Sequence, residues 1–251
     1  FWHAHIWDWS SLLFNRHGEY ADWDRSQTWR EGEFADTWQL PIIENSALSF
    51  INTGSDLIWA ACERHRLTND ALPLAWATAL LSRYDAIRHA DTGLGGYQFN
   101  HREPCRVRAS FKAGLGSRAD VNETTVIGKG YIGIRYGRVA VMLLNIAESL
   151  GAAGDAPFRE FVRRDLTALW EHAWEDETGC FHAMLNDGTR LSPDDVEDVG
   201  YCPPAKLGAT PANGLMLLSY ARAGRVLGDD TFYRAALRLA EVMGWGRLAD
   251  G

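Results

Sequence analysis

The chain has 251 residues but little cysteine and no long apolar run. Its four cysteines lie far apart, and no two of them have the C-x-x-C spacing; they are Cys62, Cys105, Cys180 and Cys202. Neither a zinc cluster nor a disulfide framework is therefore indicated. No apolar stretch reaches the roughly 20 residues that a membrane-spanning helix needs, so we expect no membrane partner.

An excess of positive charge is also missing, because the formal net charge is −8. This argues against a general nucleic-acid binder. The middle of the chain differs from the rest. Residues 83–138 contain ten Lys and Arg against five Asp and Glu, a balance of +5 that leaves −13 elsewhere. Such a segment suits either a localised anionic ligand or a solvated basic face.

The sequence begins without Met or a signal peptide, in the apolar run Phe1-Trp2-His3. We therefore expect a processed or cut chain, and its compartment, periplasmic or cytoplasmic, stays open. Tryptophan, in contrast, is abundant, with 11 residues. These residues predict either a large aromatic core or surfaces on which sugar rings stack.

Six segments have the apolar period of helices, and they come in three pairs. The pairs are residues 45–66 with 71–89, 138–150 with 156–174, and 212–227 with 230–243. The segments 14–40, 93–130 and 180–210 are rich in Gly, Pro and polar residues. They predict long loops with minor short strands.

The pairs resemble one another at their turns. Each first helix ends in Leu followed by a short turn that contains Asp, at residues 67–70, 150–155 and 227–230. After the second helix comes an acidic-Thr-Gly turn, Asp91-Thr92-Gly93 in one pair and Glu177-Thr178-Gly179 in the next. Gly supplies the positive φ that ends a helix, and the acidic residue or Thr can accept hydrogen bonds from backbone amides in the turn.

A single helical hairpin cannot bury its apolar face, so such hairpins must stack or close into a ring. Partial copies of the turn occur near Asp8 and Asp250. We therefore predict an all-α fold, an α/α toroid or incomplete α/α barrel. We expect one domain over residues 1–251, in a fragment of a longer chain.

Several residues in the first half could hold a divalent transition metal, because neutral imidazoles and a carboxylate are suitable ligands. The candidates are His3, His5, His17, Glu44 and His89. Each also has an ordinary structural interpretation. Glu44 favours a helix N-terminus, and His89 favours a helix C-terminus by the same dipole.

Several motifs resemble polysaccharide lyase family 2. They are Asn15-Arg16-His17-Gly18, the segment around Glu44, Gly54-Ser55-Asp56-Leu57-Ile58-Trp59-Ala60, and the run from Arg88-His89 through Thr92-Gly93-Leu94-Gly95-Gly96-Tyr97-Gln98-Phe99. The last run is the most specific. The resemblance covers residues 1–100 and becomes a general hairpin similarity after residue 140.

The resemblance implies a metal-assisted pectate lyase on an α/α barrel, acting on an anionic saccharide by β-elimination. It implies that Arg88 is the base and that His17, Glu44 and His89 bind a divalent metal of the Mn, Ni or Co type. Arg138 is our candidate for a second catalytic arginine, with Arg135 and Arg190 as alternatives. Residues expected to bind substrate are Tyr97, Arg102 and Arg135.

The base assignment carries a physical condition, because a guanidinium is normally protonated. Arg88 needs a lowered pKa, or cationic neighbours that assist proton transfer. Adjacent residues also lie about 100° apart on a helix. Arg88 and His89 can therefore face one cleft only where the helix ends, as the Asp91-Thr92-Gly93 turn predicts.

Other hypotheses for the function remain open. A six-hairpin glycoside hydrolase would need two carboxylates facing one cleft, and Asp56, Asp85 and Asp91 are available. An epimerase or isomerase could use His89 and His182. A non-catalytic toroid could bind acidic sugars through its aromatic residues and arginines.

Overall fold

A computed structural model describes residues 48–49, 54–86, 88–95, 98–99, 133–195 and 207–245. These residues contain helices α1 (Ser55–Thr68), α2 (Ala71–Ala86), α3 (Val139–Leu150), α4 (Ala156–Ala173), α5 (Gly214–Leu227) and α6 (Asp230–Val242). A π-helical turn (Gly133–Arg138) precedes α3, and 3-10 turns span Gly151–Ala153 and Pro193–Asp195. The strands are β1 (Leu48–Ser49), β2 (Gln98–Phe99), β3 (Trp174–Glu175), β4 (Cys180–His182) and β5 (Ala209–Pro211).

Consecutive helices pack as hairpins: α1 against α2, α3 against α4, and α5 against α6. The first helices of the hairpins are also neighbours, since α3 contacts both α1 and α5. Among the second helices, α2 contacts α4. This side-by-side arrangement buries one face of each hairpin against the next. The predicted all-α class, with α/α hairpins like the units of a toroid and only minor strands, is confirmed.

The first predicted helix begins too early. Residues Leu48–Ser49 form a strand that pairs antiparallel with Gln98–Phe99, and α1 begins only at Ser55. Residues 49–54 include Ser, Asn, Thr and Gly, which are weak helix formers. Strand pairing between residues some 50 positions apart overrides an apolar period at this point.

The remaining short strands form one antiparallel sheet in the order β3-β4-β5. Trp174 lies opposite Phe181, and Phe181 lies opposite Thr210. The sheet directly follows α4, so it belongs to the Glu177-Thr178-Gly179 turn. The loop after the second hairpin is thereby tied to the residues that lead into α5.

The helix ends use the residues that the turn pattern predicts. Asn69 ends α1 with a φ of 56°, and Gly228 ends α5 with a φ of 64°. Asp229 caps α6 by accepting a hydrogen bond from the Thr231 amide at 2.9 Å. Asn213 caps α5 in the same way through the Met216 amide, at 3.1 Å. These contacts satisfy backbone groups that a helix end leaves without partners.

Helix α4 lies at the centre of the described core and contacts α2, α3 and α5. Its buried stripe runs through Phe158, Phe161, Val162, Asp165, Leu166, Ala168, Leu169 and Ala173. The period is the predicted one, with one charged residue, Asp165, in a position that apolar side chains occupy elsewhere. Among the described residues, no helix is long and apolar enough to cross a membrane.

Candidate active site

The Arg88-His89 pair lies just beyond the end of α2, at Ala86. A tight turn follows, in which the Gly93 amide donates to the His89 carbonyl at 2.9 Å and the His89 amide donates to the Leu94 carbonyl at 3.0 Å. Gly93 has a φ of 69°, a conformation that glycine adopts without steric cost. The predicted helix end is therefore present, and the two neighbouring side chains are free of the helical 100° spacing.

The Arg88 side chain points inward and is only 7% exposed. Its Nε donates to the Asp85 carboxylate at 2.6 Å, and its Nη1 donates to the Asp165 carboxylate at 2.5 Å. Nη1 also donates to the Gly93 carbonyl at 3.1 Å, so the side chain bridges the turn. Arg88 thus connects the end of α2, its own turn and the middle of α4.

Arg135 reaches the same carboxylate from the π-helical turn before α3. Its Nη1 donates to Asp165 Oδ2, and its Nη2 donates to Asp165 Oδ1 at 3.0 Å. This two-point fork fixes the guanidinium plane as well as its position. The turn that carries Arg135 packs closely on α5, since a Cβ at Gly137 would lie 2.9 Å from the Leu215 Cβ.

An aromatic ring and a glycine enclose the charged groups. The Arg88 Cζ lies 4.4 Å from the centre of the Phe161 ring, and the Arg135 Cζ lies 5.4 Å from it. On Gly95, a Cβ would come within 3.0 Å of the Arg135 guanidinium and 3.2 Å of the Arg88 guanidinium. The backbone of the loop after the turn therefore lies directly against the two arginines, and no larger residue fits there without displacement.

The cluster of Arg88, Arg135, Asp85 and Asp165, in which only Asp85 is partly exposed, is formally neutral, with two positive and two negative groups. Removing charges from water is costly unless each is paired, and here each carboxylate contacts a guanidinium. Arg164, which is half exposed, donates to the second Asp85 oxygen at 2.7 Å. The network thus extends from the core at Asp165 to the surface at Arg164.

The charge on Arg88 is favoured by this arrangement. Burial by itself lowers the pKa of the Arg88 guanidinium, but the Asp165 and Asp85 carboxylates outweigh burial and raise the pKa above its ordinary value. The nearby Tyr136 phenol is fully buried, and this burial raises its pKa. In the described arrangement Arg88 is held as a cation by its carboxylate partners.

The His89 side chain is half-buried. Its Nδ1 accepts a hydrogen bond from the Asp91 amide at 3.3 Å. In a neutral ring this assigns the proton to Nε2, so binding a metal through Nε2 would require that long bond to be given up. Within the described ranges, no three His, Cys, Asp or Glu side chains form a metal-binding group.

The other predicted site residues divide into two groups. His17, Glu44, Tyr97 and Arg102 lie outside the described residues. Arg138 is exposed at the end of the π-helical turn. Arg190 is 52% exposed and lies on the loop after β4, where its Nη1 contacts the Glu175 carboxylate at 2.9 Å. Of the described candidates, Arg88 and Arg135 meet at one carboxylate.

A second polar cluster surrounds Glu175, in the turn after α4. The Glu175 carboxylate accepts hydrogen bonds from Arg190 at 2.9 Å and from Thr178 at 2.8 Å, and contacts His182 Nε2 at 3.0 Å. The hydrogen bonds from Arg190, Thr178 and His182 lower the pKa of Glu175 to about 2. The turn after α2 is also linked to the loop after β4, because the Thr92 hydroxyl donates to the Asn186 carbonyl at 2.5 Å.

Sequence reasoning missed Asp165. It is the carboxylate that joins the two arginines, yet it is 30 residues from Arg135 and 77 from Arg88 along the chain. A signal was present, since Asp165 follows Phe158 by seven residues and Phe161 by four, within the predicted apolar stripe. An acidic residue at a core position needs a buried cation nearby, and this requirement points to the arginines.

Comparisons with known proteins agree with the resemblance. The chain is 28% identical over 254 residues to a pectate disaccharide-lyase of Dickeya dadantii (strain 3937), an alignment covering 93% of this chain and 46% of that protein. The chain thus spans about half the length of this curated relative.

Solved structures with some likeness include the α-1,6-mannanase GH76A from Salegentibacter sp. HEL1_6, at 15% identity and a TM-score of 0.42. That match covers 96% of this chain and 59% of the mannanase. An inactive variant of that mannanase in complex with α-1,6-mannotetrose matches with the same identity, TM-score and coverage.

The sequence profile of the family described as periplasmic pectate lyase matches residues 1–250, which is nearly the whole chain. The chain belongs to this family of periplasmic pectate lyases.

Proposed function

We propose that this chain provides the catalytic region of a lyase that cleaves polygalacturonate, or its oligosaccharides, by β-elimination. The observation that carries the proposal is the family match over residues 1–250. The relative named pectate disaccharide-lyase supports the same substrate class. The family description also leads us to propose the periplasm as its compartment.

The proposed reaction breaks two bonds and forms one double bond. A base takes the proton from C5 of a uronate, the electron pair forms the C4–C5 double bond, and the C4–O4 bond breaks. The departing O4 takes up a proton, so the products are a new non-reducing end with an unsaturated uronate and a shortened saccharide. The negative charge that develops next to the uronate carboxylate requires electrostatic stabilisation.

Arg88 is our proposed base, following the family resemblance. Its described partners define what that role demands. Asp165 and Asp85 favour the protonated guanidinium, so the base role requires groups in the substrate complex that lower the pKa of Arg88. An incoming uronate carboxylate adds another negative charge, which favours the protonated form of Arg88 further. Groups that the substrate meets on the exposed side of the turn must therefore favour the deprotonated form of Arg88.

Substrate recognition is proposed to depend on positive charge and stacking. Arg138 and Arg190 are exposed, and Tyr97 and Arg102 follow the turn in the sequence. Guanidinium groups bind carboxylates by paired hydrogen bonds, and an aromatic ring can stack against a sugar face. Arg135, by contrast, lies on Asp165 in the described arrangement, so its proposed contact with substrate would require it to leave that carboxylate.

A divalent transition metal of the Mn, Ni or Co type is proposed as the cofactor, with His17, Glu44 and His89 as its ligands. When bound, such a metal supplies Lewis acidity toward the uronate carboxylate. Of the three proposed ligands, only His89 belongs to the described residues. Its half-buried position beside the turn leaves the ring near the surface, while its bond to the Asp91 amide is the contact that ligation would alter.

The experiment is an assay of the full chain on polygalacturonate, followed by ultraviolet absorbance of the unsaturated uronate. We expect absorbance to rise, to stop with chelator and to return when transition metal is restored. New reducing ends without absorbance would instead indicate a hydrolase. Retention of oligouronides without any cleavage would indicate a sugar-binding toroid, and either outcome would overturn the proposal.

A further inference from the structure

Asp165 occupies a position whose burial is hard to explain by stability alone. It is 2% exposed, in the middle of an apolar stripe on α4. Apolar residues in place of Asp165 and both arginines would avoid the desolvation of a carboxylate and two guanidinium groups. The carboxylate instead joins parts of the chain that are far apart in sequence, the turn after α2 and the π-helical turn before α3.

The connection continues from Asp165 into the turn itself. Arg88 Nη1, which donates to Asp165, also donates to the Gly93 carbonyl on the far side of the turn. The carbonyl of His89 accepts the Gly93 amide, and the amide of His89 donates to Leu94. The position of the Arg88 side chain therefore constrains the backbone on both sides of His89.

The loop after the turn rests on the same groups. Gly95 approaches the guanidinium groups of Arg88 and Arg135 and the Asp165 carboxylate, all within 3.4 Å of where its Cβ would lie. Phe161, one helical turn before Asp165 on α4, supplies an aromatic surface for both arginines. Helix α4 thus provides a carboxylate and an aromatic ring, which together fix how closely the loop approaches the helix.

We propose that Asp165 is a positioning residue for the Arg88–His89 turn: it holds Arg88 across the turn and Arg135 beneath the following loop, and so fixes the direction in which His89 and the loop present themselves to a ligand. It touches no substrate and acts through the arginines. The catalytic part of this inference rests on the proposed lyase function, whereas the structural part does not.

The test compares two turns of the same protein by hydrogen exchange. Asp165→Asn removes the negative charge, so the ion pairs with Arg88 and Arg135 are both lost. One oxygen also becomes an NH2 group that faces a guanidinium, while the other can still accept a hydrogen bond. We expect the amides of His89 and Gly93 to exchange about tenfold faster, the effect of losing one charged hydrogen bond. The Gly179 amide, which donates to Glu175 in the equivalent turn, should keep its exchange rate.

Tyr220→Phe is the matched control. The Tyr220 hydroxyl donates to the Leu166 carbonyl at 2.8 Å, in the same helix and one residue from Asp165, but Tyr220 does not hold either arginine. We expect this variant to lower stability without a selective change at His89 and Gly93. Equal acceleration of both turns in Asp165→Asn, or no acceleration in either, would overturn the proposal.

Arg88→Lys provides a second test, in case Asp165→Asn does not fold. Lysine keeps the buried positive charge, but its single nitrogen cannot reproduce the Arg88 contacts with Asp85, Asp165 and Gly93 together. The same selective acceleration at His89 and Gly93 is expected. Unchanged exchange at these amides would contradict the bridging role of Arg88 and with it the inference.

Activity supplies the last measurement and keeps the two proposals separate. With a lyase-active wild-type protein, Asp165→Asn should lower kcat about 100-fold, the loss expected from a misplacement of roughly 1 Å, with KM changed far less. Tyr220→Phe should keep its kcat. A wild-type protein without lyase activity refutes the proposed function alone, because the exchange experiment still decides whether Asp165 positions the turn.

Discussion

Two turns of this protein have the same backbone conformation but differ in the side chain that points inward. In the turn after α2, Gly93 donates to His89, and in the turn after α4, Gly179 donates to Glu175, both at 2.9 Å. The two glycines have φ values of 69° and 65°. His89 donates to Leu94, and Glu175 pairs with Cys180 in the corresponding register. The polypeptide closes both turns in the same way.

The residue that points inward is charged in one turn and aromatic in the other. Arg88 occupies the place of Trp174, since each precedes its turn glycine by five residues. The Trp174 ring stacks on Trp170 at 4.9 Å and packs against Phe181 at 4.8 Å. Arg88 instead binds two carboxylates. An aromatic residue closes the second turn by packing, whereas a charged residue closes the first through a polar network that can support chemistry.

The largest expected difference between the turns is in activity. Arg88→Met should lower lyase activity by about 10²–10⁴-fold, the contribution typical of a positioned base, as measured by release of unsaturated uronate. Trp174→Phe, at the equivalent place, keeps an aromatic contact and should leave kcat close to that of the wild-type protein. Retained activity in Arg88→Met would contradict the assignment of Arg88 as the base.

The second difference is in stability. Arg135→Met removes one cation from Asp165 and leaves a buried carboxylate undercompensated, which should lower the free energy of unfolding by about 3–5 kcal/mol. Trp174→Leu removes packing from a half-buried position and an exposed hydrogen bond from Trp174 Nε1 to Asp176, and it should cost about 2 kcal/mol. Urea denaturation of both variants measures the two costs. A smaller loss for Arg135→Met than for Trp174→Leu would show that the charged network stabilises its turn less than the aromatic packing stabilises the other turn.

Much of this comparison could be predicted from the sequence, because the apolar period of a helix is a local feature of the sequence. The apolar period of α4 runs from Phe158 to Trp170 and places the helix within one residue of its observed end at Ala173. The repeated acidic-Thr-Gly pattern gave both turns, since glycine with a positive φ is a local requirement. The same pattern predicts that Arg88 and His89 lie at the helix end, although α2 ends at Ala86, three residues before the predicted bound at residue 89.

The interactions between hairpins could not be predicted in this way. No local rule connects Asp165 with Arg88, 77 residues earlier, because the contact depends on how α2 and α4 pack. Strand β1 was missed for the same reason, since its partner is β2 at Gln98–Phe99. The sequence motif identified Arg88 by family resemblance, but its carboxylate partners, which raise its pKa, emerge only in three dimensions.

A smaller effect distinguishes the two glycines. Gly93→Ala should cost about 1–2 kcal/mol for a positive φ alone, because the nearest atom to an added Cβ is the Ala168 Cβ at 3.7 Å. Gly179→Ala should cost about 1–3 kcal/mol more, because its Cβ would overlap with the Val242 side chain on α6. Chemical denaturation of the two alanine variants gives the difference. Equal costs would mean that α6 moves away from the second turn without penalty.

The smallest effect is a dependence of stability on pH in the second turn. Hydrogen bonds from Arg190, Thr178 and His182 lower the Glu175 pKa from 4.5 to about 2. A carboxylate whose pKa is lowered on folding stabilises the protein fully above its unfolded value, and that contribution is lost as the pH falls from 4.5 toward 2. Glu175→Gln should therefore flatten the fall in Tm over this range, measured by thermal unfolding at a series of pH values.

Glu177→Gln removes the same charge from an exposed position in the same turn, and it should leave the fall in Tm with pH as in the wild-type protein. An equal flattening by both variants would mean that general charge, rather than the Glu175 hydrogen bonds, sets the acid sensitivity of this turn.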